Sequence, residues 1–107
     1  PQPQVAAPDP VLAEAFGLDC EIHAAGPSQR HCMAAMRNSN WYELSLVAPG
    51  VRNPMPPVFG SGYSDELEAI GADGCMPVPE GAGLGVDYDW DYIARHRKAL
   101  HVFTPEG

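Results

Sequence analysis

Two residues suited to proton transfer, His23 and Glu43, occupy equivalent places in the sequence. Each lies at or near the end of a short apolar segment, and 20 positions separate them (23 to 43). An imidazole has a reference pKa of about 6.5 and exchanges a proton near neutral pH. A carboxyl group can supply a proton or accept a hydrogen bond. If both segments are neighbouring parallel strands, about 4.8 Å apart, their ends share one edge and the two side chains can address one ligand.

The residues around this pair alternate between helical and strand patterns. Asp9 and Pro10 supply an N-cap and a first-turn proline, and Gly17 supplies a C-cap for a short helix. Aromatic and apolar residues then alternate with polar ones after residue 40, as in a half-buried strand. The order of elements is typical of a parallel α/β sheet. The predicted elements are a helix at 11–16, a strand at 18–23, a helix at 27–37 and a strand at 41–47.

The two ends of the chain have a different character. Residues 1–10 contain four prolines and predict a flexible tail. Residues 49–107 predict an extended, Pro/Gly-rich segment with a final helix near 90–100, capped by Asp89 or Asp91. We therefore expect three parts: the tail at 1–10, helix-strand-helix-strand at 11–48, and the extended segment and helix at 49–107.

Composition excludes several classes of function. The chain has 107 residues, with Lys+Arg 6 and Asp+Glu 14, so its formal net charge is −8. Nucleic acids and anionic membranes attract clustered Lys and Arg, so neither is an expected partner. No apolar run approaches the roughly 20 residues of a spanning helix, and the start does not resemble a signal peptide. The 3 cysteines are odd in number and scattered, so we expect reduced thiols in a cytoplasmic protein.

Two stretches of the sequence resemble one enzyme family in order and spacing. Residues 12–44 (LAEAFGLDCEIHAAGPSQRHCMAAMRNSNWYEL) and 72–93 (ADGCMPVPEGAGLGVDYDWDYI) resemble the C-terminal part of the mandelate racemase/muconate lactonizing branch of the enolase superfamily. One departure is Ala82, where relatives commonly have proline. The resemblance implies a fold: an α/β chain forming the C-terminal fragment of a (β/α) TIM-type barrel, with its last two strands and helices. An extended Pro/Gly-rich tail with a final helix would follow.

The same resemblance implies a chemistry. In this family a divalent metal, usually Mg²⁺, holds the substrate's carboxylate while a base removes the proton on the neighbouring carbon. His23 matches the histidine that acts as general base or acid. Glu43 matches the carboxylate that hydrogen-bonds the enediolate intermediate. A very weakly acidic α-proton requires such stabilisation of developing negative charge. The implied substrate is a carboxylic acid, most closely a sugar acid, and the implied activity is dehydration.

The family's other functional residues have no counterpart here. Its three metal-binding carboxylates, its second base and the aspartate that orients the histidine all precede the matching region, so the Mg²⁺ ligands are expected outside this chain and none within it. A complete barrel takes about 250 residues. We therefore expect a C-terminal portion of a larger, homo-oligomeric enzyme, inactive as this chain alone. A racemase or epimerase of the same superfamily, or a non-catalytic truncated remnant, are the alternatives.

A zinc site is the other chemistry that the residue types suggest. Cys20, His23, His31 and Cys32 are of the preferred ligand types, but their spacing matches no known structural site. Positions 20 and 23 of a strand point to opposite faces, and adjacent helical residues diverge. The glycines at 81, 83 and 85 imitate a phosphate loop, but no strand–turn–helix surrounds them and no lysine follows. We expect a turn-rich structural segment there instead.

Overall fold

The computed structural model describes residues 10–44, 48, 50–51, 58–60 and 62–105. Within them lie three α-helices, α1 (Pro10–Ala15), α2 (Pro27–Ala34) and α3 (Trp90–His96), and a 3-10 helix at Leu67–Ala69. None of these helices is long and apolar enough to cross a membrane. The tail predicted at 1–10 lies outside the described residues, except that Pro10 begins α1.

Helix α1 ends as its glycine predicts. Gly17 has φ 70°, a left-handed conformation that glycine adopts without a Cβ penalty. The Gly17 and Leu18 amides donate to the carbonyls of Glu14 and Ala13, both at 2.9 Å. This is the paired hydrogen bonding of a Schellman motif, and it satisfies carbonyls that the helix end leaves open.

Helix α2 begins where proline predicts and ends three residues early, at Ala34 rather than Arg37. The chain beyond α2 turns back onto α1. The Asn38 side-chain amide donates to the Pro10 carbonyl at 2.9 Å and to the Leu18 carbonyl at 3.1 Å. These contacts fix the exit from α2, because they require Asn38 to lie beside both ends of α1.

Helix α3 confirms Asp89 as its cap, since the Asp89 carboxylate accepts from the Tyr92 amide at 2.7 Å. It stops at His96 rather than near residue 100, and Arg97 is extended. No residue of α3 is buried. A short helix without an apolar face packed on a partner is marginal in water, which accounts for the early end.

The predicted barrel fragment is wrong. Over the described residues there is no β-sheet, and the sole β-bridge joins Phe59 and Tyr88 in antiparallel sense. Residues 18–23 and 41–44 are extended but form no strand, and 45–47 lie outside the described residues. The hydrogen bonds that a parallel ladder would use go to side chains instead. The Glu21 carboxylate accepts from the Asn40 and Trp41 amides at 3.0–3.1 Å.

The two extended segments nevertheless lie side by side in parallel. Contacts advance in the same direction along both: Cys20 with Asn38, Glu21 with Asn40, and Ala24 with Glu43. The Cys20 amide donates to the Asn38 carbonyl at 2.7 Å, and at the other two contacts a carboxylate side chain takes the place of a backbone acceptor. The positions of His23 and Glu43 follow from this arrangement.

The described residues contain no buried hydrophobic core. Trp41 is 77% exposed and Trp90 69% exposed, so neither contributes to a core. The buried residues are Gly26, Pro27 and Arg30, all at the start of α2. What organises this part of the chain is a polar cluster around Arg30.

The glycine run at 81–85 forms turns, as expected. Gly85 has φ 69°, and a Cβ there would lie 2.8 Å from the Pro79 carbonyl carbon. Both its backbone angle and the close approach of residues 79 and 80 therefore require glycine. The His31 Nε2 atom lies 2.9 Å from the Leu84 carbonyl oxygen and links this run to α2.

Candidate functional site

The structure brings His23 and Glu43 together. His23 Nδ1 lies 2.9 Å from Glu43 Oε2, with side chains 92% and 41% exposed respectively. A carboxylate oxygen only accepts, so a hydrogen bond across this contact requires the proton on Nδ1 and leaves Nε2 as the other ring position. The geometry is that of an imidazole oriented by a carboxylate.

Glu43 Oε2 also holds the backbone that follows the histidine. The Ala24 amide donates to it at 2.6 Å. Ala24 has φ 71°, the one non-glycine residue with positive φ in the described part of the chain. For alanine this region is disfavoured sterically. The carboxylate therefore binds both the His23 ring and the strained residue next to it.

Tyr42, next to Glu43, binds the same turn. Its hydroxyl accepts from the Gly26 amide at 2.7 Å and donates to Asp65 Oδ1. Residues 42 and 43 thus hold the turn at 24–26 at two points. Tyr42 is not among the site residues predicted from the sequence.

An ion pair between Arg30 and Asp65 lies behind this turn. Arg30 Nη2 is 2.7 Å from Asp65 Oδ1, and the two side chains are 4% and 9% exposed. Arg30 also donates to the Pro77 carbonyl at 2.9 Å and to the Ser64 carbonyl. The Tyr63 hydroxyl donates to Asp65 Oδ2 at 2.9 Å. We call Arg30, Tyr42, Tyr63 and Asp65 the Arg30 cluster.

The guanidinium of the Arg30 cluster stacks between two rings. Its central carbon lies 5.2 Å from the Tyr42 centroid and 4.5 Å from that of Tyr63, within cation–π range. Arg30 Nε is buried without a hydrogen-bond partner. No spacing pattern in the sequence links positions 30, 42 and 65, so the cluster could not have been predicted from it.

The Arg30 cluster shifts two pKa values. Burial lowers the pKa of Arg30, but its interactions with Tyr42 and Asp65 outweigh burial and raise it above its usual range. Burial, reinforced by the hydrogen bonds with Tyr42 and Asp65, raises the pKa of Tyr63 well above its ordinary value. Arg30 therefore stays charged and the Tyr63 phenol stays protonated through the neutral range.

The described residues contain no group of three or more His, Cys, Asp or Glu side chains that could hold a metal ion. The four residues considered for zinc are dispersed: His23 contacts Glu43 and His31 contacts the Leu84 carbonyl. Cys20, Cys32 and Cys75 are free thiols.

A groove of about 570 Å³ lies on the other side of Tyr42. Apolar side chains of Met33, Trp41, Leu44 and Val78 line much of it. Neither His23 nor Glu43 is among its lining residues. The pair itself is open to solvent.

Comparison with known proteins yields no match, whether to a family model, a curated protein or a solved structure. The resemblance to the enolase superfamily therefore depends on the quoted residues alone.

Proposed function

We propose that His23 and Glu43 form the proton-transferring pair of an enzyme that removes the proton next to a carboxylate. The proposed activity is dehydration of a sugar acid, as in the mandelate racemase/muconate lactonizing branch that the sequence resembles. The single observation that carries the proposal is the 2.9 Å contact between His23 Nδ1 and Glu43 Oε2. This contact supports the proposal independently of the resemblance in sequence.

The contact suits the imidazole to act as a base. With Nδ1–H donated to Glu43, the tautomer that carries a lone pair on Nε2 is selected. The exposed ring leaves Nε2 accessible. In the proposed step the α-proton moves to Nε2, and the neighbouring hydroxyl leaves as water with a proton from the protonated imidazole.

The observed position of Glu43 differs from the role that the resemblance implies. The resemblance places this carboxylate on the enediolate, whereas here its Oε2 atom holds His23 and the Ala24 amide. We propose that Oε2 orients the base and that Oε1 hydrogen-bonds the substrate carboxylate.

Mg²⁺ is implied by the resemblance, but the described residues do not fit it. Among the described residues no third ligand lies near the pair, and Glu43 Oε2 already contacts the Ala24 amide and His23 Nδ1. The proposal therefore derives no step through the metal, and its ligands would come from outside the described residues. A cytoplasmic location also belongs to the proposal, supported by the three free thiols.

A non-catalytic remnant is a second candidate, favoured by one observation. The described residues lack a buried hydrophobic core, and Arg30 is the buried polar residue around which they are organised. A polypeptide of this kind would persist only when partly folded or bound to a partner.

The test is α-proton exchange by the polypeptide encoded by the complete reading frame that contains these residues. Aldonic and aldaric acids are incubated with it in D₂O and MgCl₂, and deuterium at the α-carbon is followed by NMR. We expect exchange with loss of water, and at least a thousandfold slower exchange in His23→Asn. His101→Asn is the matched control, because this exposed histidine lies far along the chain from His23. The His101→Asn variant should catalyse α-proton exchange at the wild-type rate.

The other outcomes separate the alternatives. Exchange with inversion and no loss of water would identify a racemase or epimerase. No exchange by any polypeptide carrying these residues would favour the remnant. Equal loss of exchange in the two histidine variants would contradict the assignment of His23 as base. The 107-residue chain alone is expected to show no turnover.

A further inference from the structure

Adjacent residues in the extended segment hold the turn after His23 from its two ends. Glu43 accepts from the Ala24 amide at 2.6 Å, and the Tyr42 hydroxyl accepts from the Gly26 amide at 2.7 Å. The two bonds lie on either side of residue 25. They define where the backbone leaves His23 and where it enters α2.

The Tyr42 end of this turn is fixed by the Arg30 cluster. Asp65 Oδ1 accepts from both the Tyr42 hydroxyl and the Arg30 guanidinium. Arg30 lies in the first turn of α2, and its amide donates to the Gly26 carbonyl at 3.1 Å. Asp65 therefore fixes the position of Tyr42 relative to α2, and Gly26 is hydrogen-bonded to both Tyr42 and Arg30.

The turn needs such support because Ala24 lies at φ 71°. A non-glycine residue keeps this conformation only when its surroundings impose it. The Ala24 amide donates to Glu43, so the residue that orients His23 is also the residue that accepts from the strained position. Loosening the Gly26 end would let Ala24 relax and withdraw from Glu43.

We propose that Tyr42, held by Asp65, is a positioning residue for the His23–Glu43 pair. Its hydroxyl binds Gly26 and Asp65 rather than either side chain of the pair, so it acts through the turn at 24–26. The inference rests on the proposed function for its catalytic meaning, but the geometric coupling can be tested without any substrate.

The test compares two tyrosine-to-phenylalanine variants of the 107-residue chain, labelled with ¹⁵N. Tyr42→Phe removes the acceptor for the Gly26 amide and one donor to Asp65. Tyr92→Phe is the matched control, because the Tyr92 ring stacks on His96 within α3 and Tyr92 is not part of the Arg30 cluster. Two NMR signals are read: the Ala24 amide proton, and the ¹⁵Nδ1 resonance of His23.

In the wild type we expect a downfield Ala24 amide proton, as a short bond to a carboxylate produces, and a protonated Nδ1. Tyr42→Phe should move the amide proton upfield, speed its hydrogen exchange about tenfold, and mix the two imidazole tautomers. Tyr92→Phe should leave both signals in place. Unchanged signals in Tyr42→Phe, or equal changes in both variants, would overturn the proposal.

Glycine at position 24 keeps the test decisive if Tyr42→Phe disturbs the fold. Glycine adopts positive φ without steric cost, so Ala24→Gly combined with Tyr42→Phe should restore the position-24 amide and His23 signals towards those of Ala24→Gly alone. A double variant as disturbed as Tyr42→Phe would refute the role of the turn. These signals need no substrate, so the two proposals fail separately. Unchanged signals in Tyr42→Phe together with α-proton exchange would reject the positioning role alone. Altered signals in Tyr42→Phe without α-proton exchange would reject the proposed function alone.

Discussion

Arg30 and Asp65 are 35 positions apart and form a buried ion pair that joins α2 to the segment preceding the 3-10 helix. Two tyrosine hydroxyls also donate to the carboxylate, and two backbone carbonyls accept from the guanidinium. In the described residues this pair occupies the place that apolar side chains take in most domains. The stability of the turn beside His23 therefore depends on a charged contact.

Asp65→Asn should destabilise the chain strongly. Removing one partner of a buried ion pair leaves the other charge uncompensated and costs about 3–5 kcal/mol. Urea unfolding, followed by tyrosine and tryptophan fluorescence, measures the loss. Glu14→Gln is the matched control, because the ion pair of Glu14 with Arg37 spans 2.9 Å between side chains 37% and 83% exposed. An exposed pair of this kind contributes about 0–1 kcal/mol. Equal losses in the two variants would contradict the structural role of Asp65.

Tyr63 should make the chain sensitive to alkaline pH. Its pKa is raised in the folded state above the ordinary 10.0, so the protonated phenol favours folding. That contribution is complete below pH 10 and falls as pH rises from there towards the higher folded pKa. Absorbance at 295 nm should show a late tyrosine titration step that Tyr63→Phe lacks. Between pH 8 and 10.5 the urea midpoint should fall further in the wild type than in Tyr63→Phe, and parallel decreases would argue against a buried phenol.

Glu21 should make the contact between the two extended segments sensitive to acid pH, whereas Tyr63 makes the chain sensitive to alkaline pH. The Trp41 amide lowers the pKa of the Glu21 carboxyl, with further contributions from Asn40 and Ser39. A lowered folded pKa means that the contribution is present above the ordinary value of 4.5 and is lost as pH falls through the lower one. Hydrogen exchange of the Trp41 amide should quicken in that range, once the intrinsic acid dependence is subtracted.

The Glu21→Gln variant isolates this contact. It should quicken Trp41 amide exchange at pH 6, where the wild-type carboxylate is charged. Asp19→Asn removes a nearby exposed carboxylate that makes no comparable contact, and should leave the Trp41 amide unaffected. A Trp41 amide that exchanges alike in all three proteins would show that Glu21 does not join the two extended segments.

Sequence alone predicted the parts of the fold that local chemistry determines. Asp89, Gly17 and Pro27 act within one turn of their own positions, and the helix ends that they predict are present. A strand is different, because it needs a partner whose backbone is free to pair. Here the Glu21 carboxylate takes the amides of the second segment, and no local pattern distinguishes that from a ladder.

One part of the candidate site could be predicted from the sequence and another part could not. His23 and Glu43 were expected near each other on the argument of parallel strands, and they lie near each other although the strands are absent. Parallel extended segments are sufficient for that juxtaposition. The Arg30 cluster was missed because Arg30, Tyr42 and Asp65 share no periodicity, and only the folded chain brings them together.

The 107-residue chain should associate through apolar surface. In the described residues Val11 is 74% exposed, Phe16 75% and Trp41 77%, and such surface favours association. Light scattering during size-exclusion chromatography should show a mass that rises with concentration, with dye binding to exposed apolar groups. Val11→Gln combined with Phe16→Gln should reduce both, because these side chains lie at the two ends of α1. Changing Val102, which is equally exposed but distant in sequence, to Gln provides the control. Calorimetry measures the unfolding enthalpy of the chain. Without a buried apolar core this enthalpy should fall well below about 0.7 kcal/mol per residue. A sharp transition of a monomer with an enthalpy near that value would contradict the prediction.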